Sequence, residues 1–109
     1  MKGFEIILLD TVREFLLTLD QAIRNKIVYN LNKATISQDP EIFKKLTDEI
    51  WEFKTKYNRE HYRLLAFWDK RDNKNTLVIC VNGFVKKTKK TPKNEIEKAK
   101  AIMIDYFQN

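Results

Sequence analysis

The chain has 109 residues, 43% of them hydrophobic, which suits one globular domain with a single core. With only two glycines and two prolines, it is not the composition of a linker-rich or disordered protein. No apolar run approaches the roughly 18 residues that a membrane span needs, and the N-terminal segment does not have the features of a signal peptide. We therefore expect one cytoplasmic domain over residues 1–109 with no membrane contact.

The net charge of +6 is unevenly distributed along the chain. Residues 1–50 sum to −1, whereas residues 51–109 sum to +7. Excess positive charge in one half indicates a polyanionic partner or an acidic protein partner. A role in solubility alone is the alternative explanation.

The first part of the chain predicts a strand followed by two helices. Phe4–Leu9 is a short apolar run typical of a strand. Asp10 or Thr11 is expected to cap the first helix, and Thr11 with Glu14 fits a capping box, in which the two side chains satisfy free amides at a helix start. Asp20 is a second candidate cap, and apolar residues then recur at helical spacing as far as Ala34. We expect a helical hairpin that packs on a sheet.

Three further strands are predicted in the middle of the chain. Residues 35–40 are expected to form a loop and Glu41–Leu46 a short turn. In Ile50–Lys56 the apolar residues alternate with charged ones, so Glu52, Lys54 and Lys56 are predicted to share a charged outer face. The remaining segments are a turn at Tyr57–Glu60, a strand at His61–Trp68, a charged loop at Asp69–Asn75 and a strand at Thr76–Val85.

The last part of the chain completes the predicted architecture. Gly83 indicates a bulge in the final strand. Thr91 and Pro92 are typical of a helix start, with the threonine as cap, and a helix then runs to the C-terminus. The order β-α-α-β-β-β-α predicts an α+β fold, an antiparallel sheet of about four strands with helices packed against it.

The residue inventory excludes several kinds of active site. The single histidine and the single cysteine offer no metal-ligand spacing and no Cys/His nucleophile pair, and one histidine is too few for a two-histidine ribonuclease. The carboxylates are scattered, and the sequence contains no glycine-rich phosphate loop. We expect no metal and no small-molecule cofactor.

Cations at strand positions and strand ends are the remaining candidates for chemistry. Fixed positive charges stabilise the negative charge that develops on a phosphate during its transfer. The candidate catalytic residues are Lys54, Arg63, Lys86 and Lys87, and the candidate RNA-binding residues are Lys56, Thr88, Lys89 and Lys90. The alternatives are that Lys54 solvates the sheet and that the lysine cluster binds phosphate without cleaving it. His61 is interpreted as a strand-edge residue, with a catalytic base as the alternative. The aromatic residues are interpreted as core, with stacking on bases as the alternative for Trp51, Phe67, Trp68 and Phe84.

Three short motifs resemble the RelE/ParE toxin superfamily of type II toxin–antitoxin systems, particularly its HigB-like, phage-derived branch. They are Trp51-Glu52-Phe53-Lys54, Tyr62-Arg63-Leu64-Leu65, and Gly83-Phe84-Val85-Lys86-Lys87-Thr88 with Lys90-Thr91-Pro92. The order of elements before and after these motifs also fits. The resemblance therefore covers nearly the whole chain.

This resemblance implies a RelE-like sheet that binds mRNA, typically on the ribosome, and cleaves it through the ribose 2′-OH. Relatives usually have arginine at the position of Lys54. Lysine keeps the positive charge there but lacks the bidentate hydrogen-bonding geometry of arginine. Arg63 matches the strand arginine that binds phosphate, and Lys86 and Lys87 match basic residues at the end of the last strand. The implied partner is a helix-turn-helix antitoxin. Two alternatives stay open, a ParE-like gyrase inhibitor and a basic binding module without activity.

Overall fold

The computed structural model describes residues 4–37, 39–71, 75–85 and 90–109, which form three helices and one five-stranded sheet. The helices are α1 (Asp10–Leu17), α2 (Gln21–Ile36) and α3 (Lys93–Gln108). The strands are β1 (Glu5–Leu8), β2 (Phe43–Lys45), β3 (Trp51–Tyr57), β4 (Glu60–Asp69) and β5 (Thr76–Val85). The predicted α+β class is confirmed. Within the described ranges, no helix is both long and apolar enough to cross a bilayer.

The sheet has the strand order β1-β5-β4-β3-β2 and differs in two respects from the predicted antiparallel arrangement. It has five strands rather than about four, because Phe43–Lys45 pairs with β3 as an edge strand where a turn was expected. It is also mixed, since β1 runs parallel to β5 with Glu5 opposite Thr76. The other neighbouring strands are antiparallel.

The β3–β4 hairpin fixes the register of the central strands. Its two turn residues, Asn58 and Arg59, have φ angles of 49° and 70°, the left-handed conformation that suits a tight hairpin. The predicted turn at Tyr57–Glu60 is therefore confirmed, and Tyr57 and Glu60 are the cross-strand pair that closes it. Between β4 and β5 the register shifts on the β5 segment that contains Gly83, as the sequence predicts.

Helices cover both faces of the sheet. Helices α1 and α2 pack on one face, around buried side chains that include Val12, Ile27, Phe53, Leu64 and Ile79. Helix α3 packs on the other face through Ala99 and Met103, against a second cluster from the central strands. Side chains on either face of the sheet can therefore be buried. For this reason, the alternate residues of a strand are not divided into one buried apolar set and one exposed polar set.

Two predicted helix caps are wrong. Helix α1 begins at Asp10, one residue before Thr11, and no side chain caps its first turn. Helix α3 begins after Pro92, whose carbonyl accepts hydrogen bonds from the helix, while the hydroxyl of Thr91 donates to Glu52 instead. Asp20 does occupy the residue before α2, but its side chain makes no capping hydrogen bond.

The C-terminal end of α3 is anchored to the end of β4. Tyr106 donates a hydrogen bond of 2.8 Å to the carboxylate of Asp69, which Arg71 also grips through Nε and Nη2 at 3.0 and 2.9 Å. The guanidinium of Arg71 lies over the rings of Tyr106 and Phe107. Hydrogen bonds from Arg71 hold the pKa of Asp69 well below its usual range, whereas burial raises the pKa of Tyr106.

Candidate functional site: a cationic face beside a buried ion pair

The register of β3 and β4 places four basic side chains on the face of the sheet that α3 partly covers. Lys54 is the direct cross-strand partner of Arg63, and Lys56 is the direct partner of His61. Partners in an antiparallel pair point to the same side, as do residues two apart on one strand. We call Lys54, Lys56, His61 and Arg63 the cationic face.

Exposure differs sharply within the cationic face. Lys56 and His61 are exposed and Lys54 is half-buried, whereas Arg63 is only 8% exposed. The packed part of α3 lies over Leu65 and Phe67, further along β4. The hairpin end of the face is thus open to solvent, and its accessible charges belong to β3 and to His61.

Glu52 lies on the same face and is buried, in contrast to the predicted charged outer surface of β3. Its side chain is 1% exposed, with Oε1 3.3 Å from Nε of Arg63. The other carboxylate oxygen, Oε2, accepts the hydrogen bond from the hydroxyl of Thr91. The prediction was wrong for Glu52 because this face is covered by the segment that leads into α3. Glu52 therefore ties that segment to the central strands.

Burial and the carboxylate of Glu52 have opposite effects on the pKa of Arg63. Burial lowers the pKa of its guanidinium, and the negative charge of Glu52 partly offsets that effect. Its Nη1 donates to the carbonyl of Tyr62 at 3.3 Å, whereas Nε meets Glu52 as an ion pair without hydrogen-bond alignment. A buried charge in this setting depends on its counter-ion, so Glu52 compensates the charge of Arg63 and helps to fix its position.

The predicted site residues fall into three groups. The structure brings Lys54, Lys56 and Arg63 together on the cationic face. Lys90 is exposed and immediately precedes Thr91, which contacts Glu52. The other four, Lys86, Lys87, Thr88 and Lys89, lie outside the described residues. The last residue of β5, Val85, pairs with Tyr62, so the chain leaves the sheet beside Arg63.

The chemistry available here is that of fixed and mobile positive charge. The side chains of Lys54 and Lys56 can attract phosphate oxygens. The buried Arg63 adds a positive charge whose position is already fixed before a phosphate binds. His61, the single histidine of the chain, is exposed at the hairpin end of this face. Among the described residues, no group of three or more His, Cys, Asp or Glu side chains converges as a metal site would require.

Sequence reasoning missed Glu52 and Thr91 as members of the site. The signal for Glu52 was present in the predicted hairpin, because pairing around the turn places it opposite the apolar Leu65. A carboxylate beside a core residue needs a buried partner, and Arg63 is the nearest cation on that face. Thr91 gave no such signal, since a threonine before proline also fits a helix cap.

The fold is similar to that of a known bacterial toxin. The structure of a double arginine-to-alanine mutant of the E. coli toxin RelE, in the free state, aligns with a TM-score of 0.58 and 13% sequence identity. The alignment covers 97% of this chain and 98% of that chain. At this identity the likeness shows the fold alone. No curated protein matches the chain.

The architecture and the strand register therefore define a small α+β protein with a RelE-like fold and a cationic sheet face. A family model, described as Phage derived protein Gp49-like (DUF891), matches residues 14–103. The match extends from α1 to the second half of α3 and includes every residue of the cationic face. The chain belongs to this Gp49-like, phage-derived family.

Proposed function

We propose that this protein is the toxin of a type II toxin–antitoxin system and that it cleaves mRNA, on the ribosome, without a metal ion. In the proposed reaction the ribose 2′-oxygen attacks the adjacent phosphorus and the bond from phosphorus to the 5′-oxygen breaks. The 2′-OH proton passes to a base, and a proton is delivered to the leaving 5′-oxygen. The observation that carries the proposal is the pairing of Lys54 with Arg63 on an open, cationic sheet face.

Each cation has a distinct proposed role. Lys54, half-buried beside Arg63, stabilises the extra negative charge of the crowded phosphate. Arg63 supplies a fixed charge beneath it, held in place by Glu52. Lys86 and Lys87 remain proposed catalytic residues because they directly follow the strand end that lies beside Arg63. Lys56, Thr88, Lys89 and Lys90 are proposed to bind the RNA backbone.

Family and fold give this proposal its biological setting. A Gp49-like, phage-derived domain with a RelE-like fold supports a toxin that a cognate antitoxin holds inactive. We place the toxin in the cytoplasm, within the HigB-like branch, and its partner among small helix-turn-helix DNA-binding proteins. The partner would neutralise the toxin by direct contact.

Cleavage of a defined RNA by the purified protein in EDTA tests the proposal. We expect cleavage of the all-ribose substrate, and no cleavage at a position that carries a 2′-deoxy nucleotide. Lys54→Ala should lower the single-turnover rate about a hundredfold, as loss of one preorganised charge does. Lys33→Ala, an exposed lysine on α2, is the matched control and should leave the rate unchanged. Arg63→Ala is a poorer test, because it also leaves Glu52 buried without a partner.

Induced expression in bacteria separates cleavage from the gyrase alternative. We expect growth arrest with fragmented transcripts, and relief of both effects by Lys54→Ala with Lys86→Ala. Growth arrest with intact transcripts and inhibited DNA supercoiling would overturn the ribonuclease proposal in favour of gyrase inhibition. Normal growth together with RNA binding would leave a binding module without activity.

A further inference from the structure

A groove of about 770 Å³ lies on the opposite side of the sheet from the cationic face. It runs between the C-terminal part of α2, the edge strand β2 and the start of β1. Its lining residues include both tryptophans of the chain, Trp51 and Trp68. Trp51 is an odd-numbered residue of β3 and Lys54 an even-numbered one, so their side chains point to opposite faces. We call this the aromatic groove.

The aromatic rings of the groove are already engaged with one another. Phe43 stacks on Trp51 with ring centroids 4.8 Å apart, and Trp68 meets Phe4 edge to face at 4.8 Å. The ammonium of Lys70 lies 5.7 Å from the centre of the Trp68 ring. Because these rings already pack on one another, we expect the apolar surface that remains in the groove to suit aliphatic side chains better than stacked nucleic-acid bases. Ile36, 80% exposed at its wall, extends the apolar surface.

The charged residues that line the aromatic groove are all positive. Lys44, Lys45 and Lys70 line it and all three are exposed. None of the lining residues, all of which belong to the described part of the chain, is acidic. An apolar floor with a lysine rim is complementary to a segment that carries both aliphatic and acidic side chains.

The edge strand gives that segment a backbone partner. The carbonyl of Ile42 accepts a backbone hydrogen bond from Lys54, and the backbone N–H of Leu46 donates to the carbonyl of Ile50. In an antiparallel pair the bonded positions alternate, so the backbone groups of Lys45 are directed away from β3, toward the open edge. An extended peptide can add to such an edge and place alternate side chains into the groove.

We propose that the aromatic groove is the docking site for an extended acidic segment of a partner protein, with aliphatic residues over Trp51 and Trp68 and carboxylates at Lys45 and Lys70. The proposal concerns the opposite face from the proposed cleavage site and does not depend on it.

Binding in the aromatic groove can be followed by the intrinsic fluorescence of its two tryptophans. Both line it and the chain has no others, so occupancy changes the intrinsic fluorescence directly. The probe is a short synthetic peptide of alternating glutamate and leucine, titrated into the full-length protein at low salt. We expect a saturable shift of tryptophan emission to shorter wavelength, and no shift with a peptide in which lysine replaces each glutamate.

Three variants locate the binding. Lys45→Glu combined with Lys70→Glu should weaken binding of the acidic peptide about tenfold, the effect of reversing two surface charges. Ile36→Ser should weaken it through loss of apolar contact without affecting folding, because this side chain is exposed. Lys98→Glu, an exposed lysine on α3, is the control and should bind as the wild type does.

Two outcomes would overturn the proposal. One is the absence of a saturable fluorescence change with the acidic peptide. The other is tighter binding of a single-stranded RNA oligonucleotide that the double charge reversal removes, which would assign the groove to nucleic acid. Loss of RNA cleavage has no bearing on either result.

Discussion

Glu52 and Arg63 form a buried ion pair although they are not direct cross-strand partners. Glu52 lies opposite Leu65 and Arg63 lies opposite Lys54, so the 3.3 Å contact between Oε1 and Nε is diagonal across β3 and β4. Both residues are less than a tenth exposed. Each therefore depends on the other, since an isolated buried charge costs several kcal/mol.

Removal of the carboxylate should destabilise the fold strongly. We expect Glu52→Ala to lower the free energy of unfolding by about 3–5 kcal/mol, because Arg63 is left buried without a counter-ion. Urea denaturation followed by circular dichroism measures the change. Glu49→Ala, at an exposed position near the start of the same strand, is the control and should change stability by less than about 0.5 kcal/mol.

Replacing both partners together should restore most of that stability. In Glu52→Leu combined with Arg63→Met, two apolar side chains of similar length replace the pair, and no charge stays buried. Such replacements are often neutral or stabilising. If the double variant is as unstable as Glu52→Ala, this expectation is wrong, and the ion pair contributes more to stability than the cost of burying its two charges.

The hydroxyl of Thr91 should matter for stability through Glu52 and not through helix capping. Thr91→Val removes a hydrogen bond to a buried carboxylate at nearly constant volume, with an expected cost of about 1.5–3 kcal/mol. Thr11→Val, the corresponding change at the start of α1, should cost much less, because Thr11 is exposed and makes no capping bond. Thermal unfolding of both variants tests this, and equal losses would contradict it.

The clamp at Asp69 should make stability fall in acid. Hydrogen bonds from Arg71 lower the pKa of Asp69 in the folded protein. The carboxylate thus contributes stability above about pH 3.9, the unfolded value, and loses it as the pH falls through the lower folded value. We expect the difference between wild type and Asp69→Asn in urea denaturation to be full at pH 7 and to shrink below about pH 4. Asp105→Asn, an exposed control, should show no such difference.

The salt dependence of RNA affinity should report the number of phosphate groups that the cationic face contacts. For single-stranded RNA, each neutralised phosphate contributes roughly −0.7 to the slope of log affinity against log salt. Lys54→Ala with Lys56→Ala should therefore make the slope shallower by about 1.4, measured by fluorescence anisotropy of a labelled oligonucleotide. Lys33→Ala should leave it unchanged. An unchanged slope in the double variant would place the RNA elsewhere.

The central strands were predictable because their sequences alternate over enough residues to define a period. His61–Trp68 lies within β4, and Ile50–Lys56 lies within β3 except for Ile50, which precedes the strand; the turn between them was placed correctly. Strand β2 was not predictable, because Phe43–Lys45 is too short to show alternation and follows a proline-containing loop. Its place in the sheet depends on pairing with β3, a tertiary contact.

The candidate site was predictable in its cations but not in its burial. Lys54 and Arg63 were identified from residue type and motif, and the register explains their proximity. The burial of Glu52 depends on α3 and the preceding Thr91, which lie about forty residues away along the chain. No local pattern contains that information, since a charged residue in an alternating strand normally faces water.

The parallel pairing of β1 with β5 has a consequence for synthesis on the ribosome. Strand β1 leaves the ribosome first, yet its partners Thr76–Ile79 are translated some seventy residues later. Until then, the apolar β1 segment and the helices that follow it have no completed sheet on which to pack. Productive folding of this sheet is therefore postponed until β5 has been synthesised, and a nascent chain that ends before β5 would expose an aggregation-prone surface.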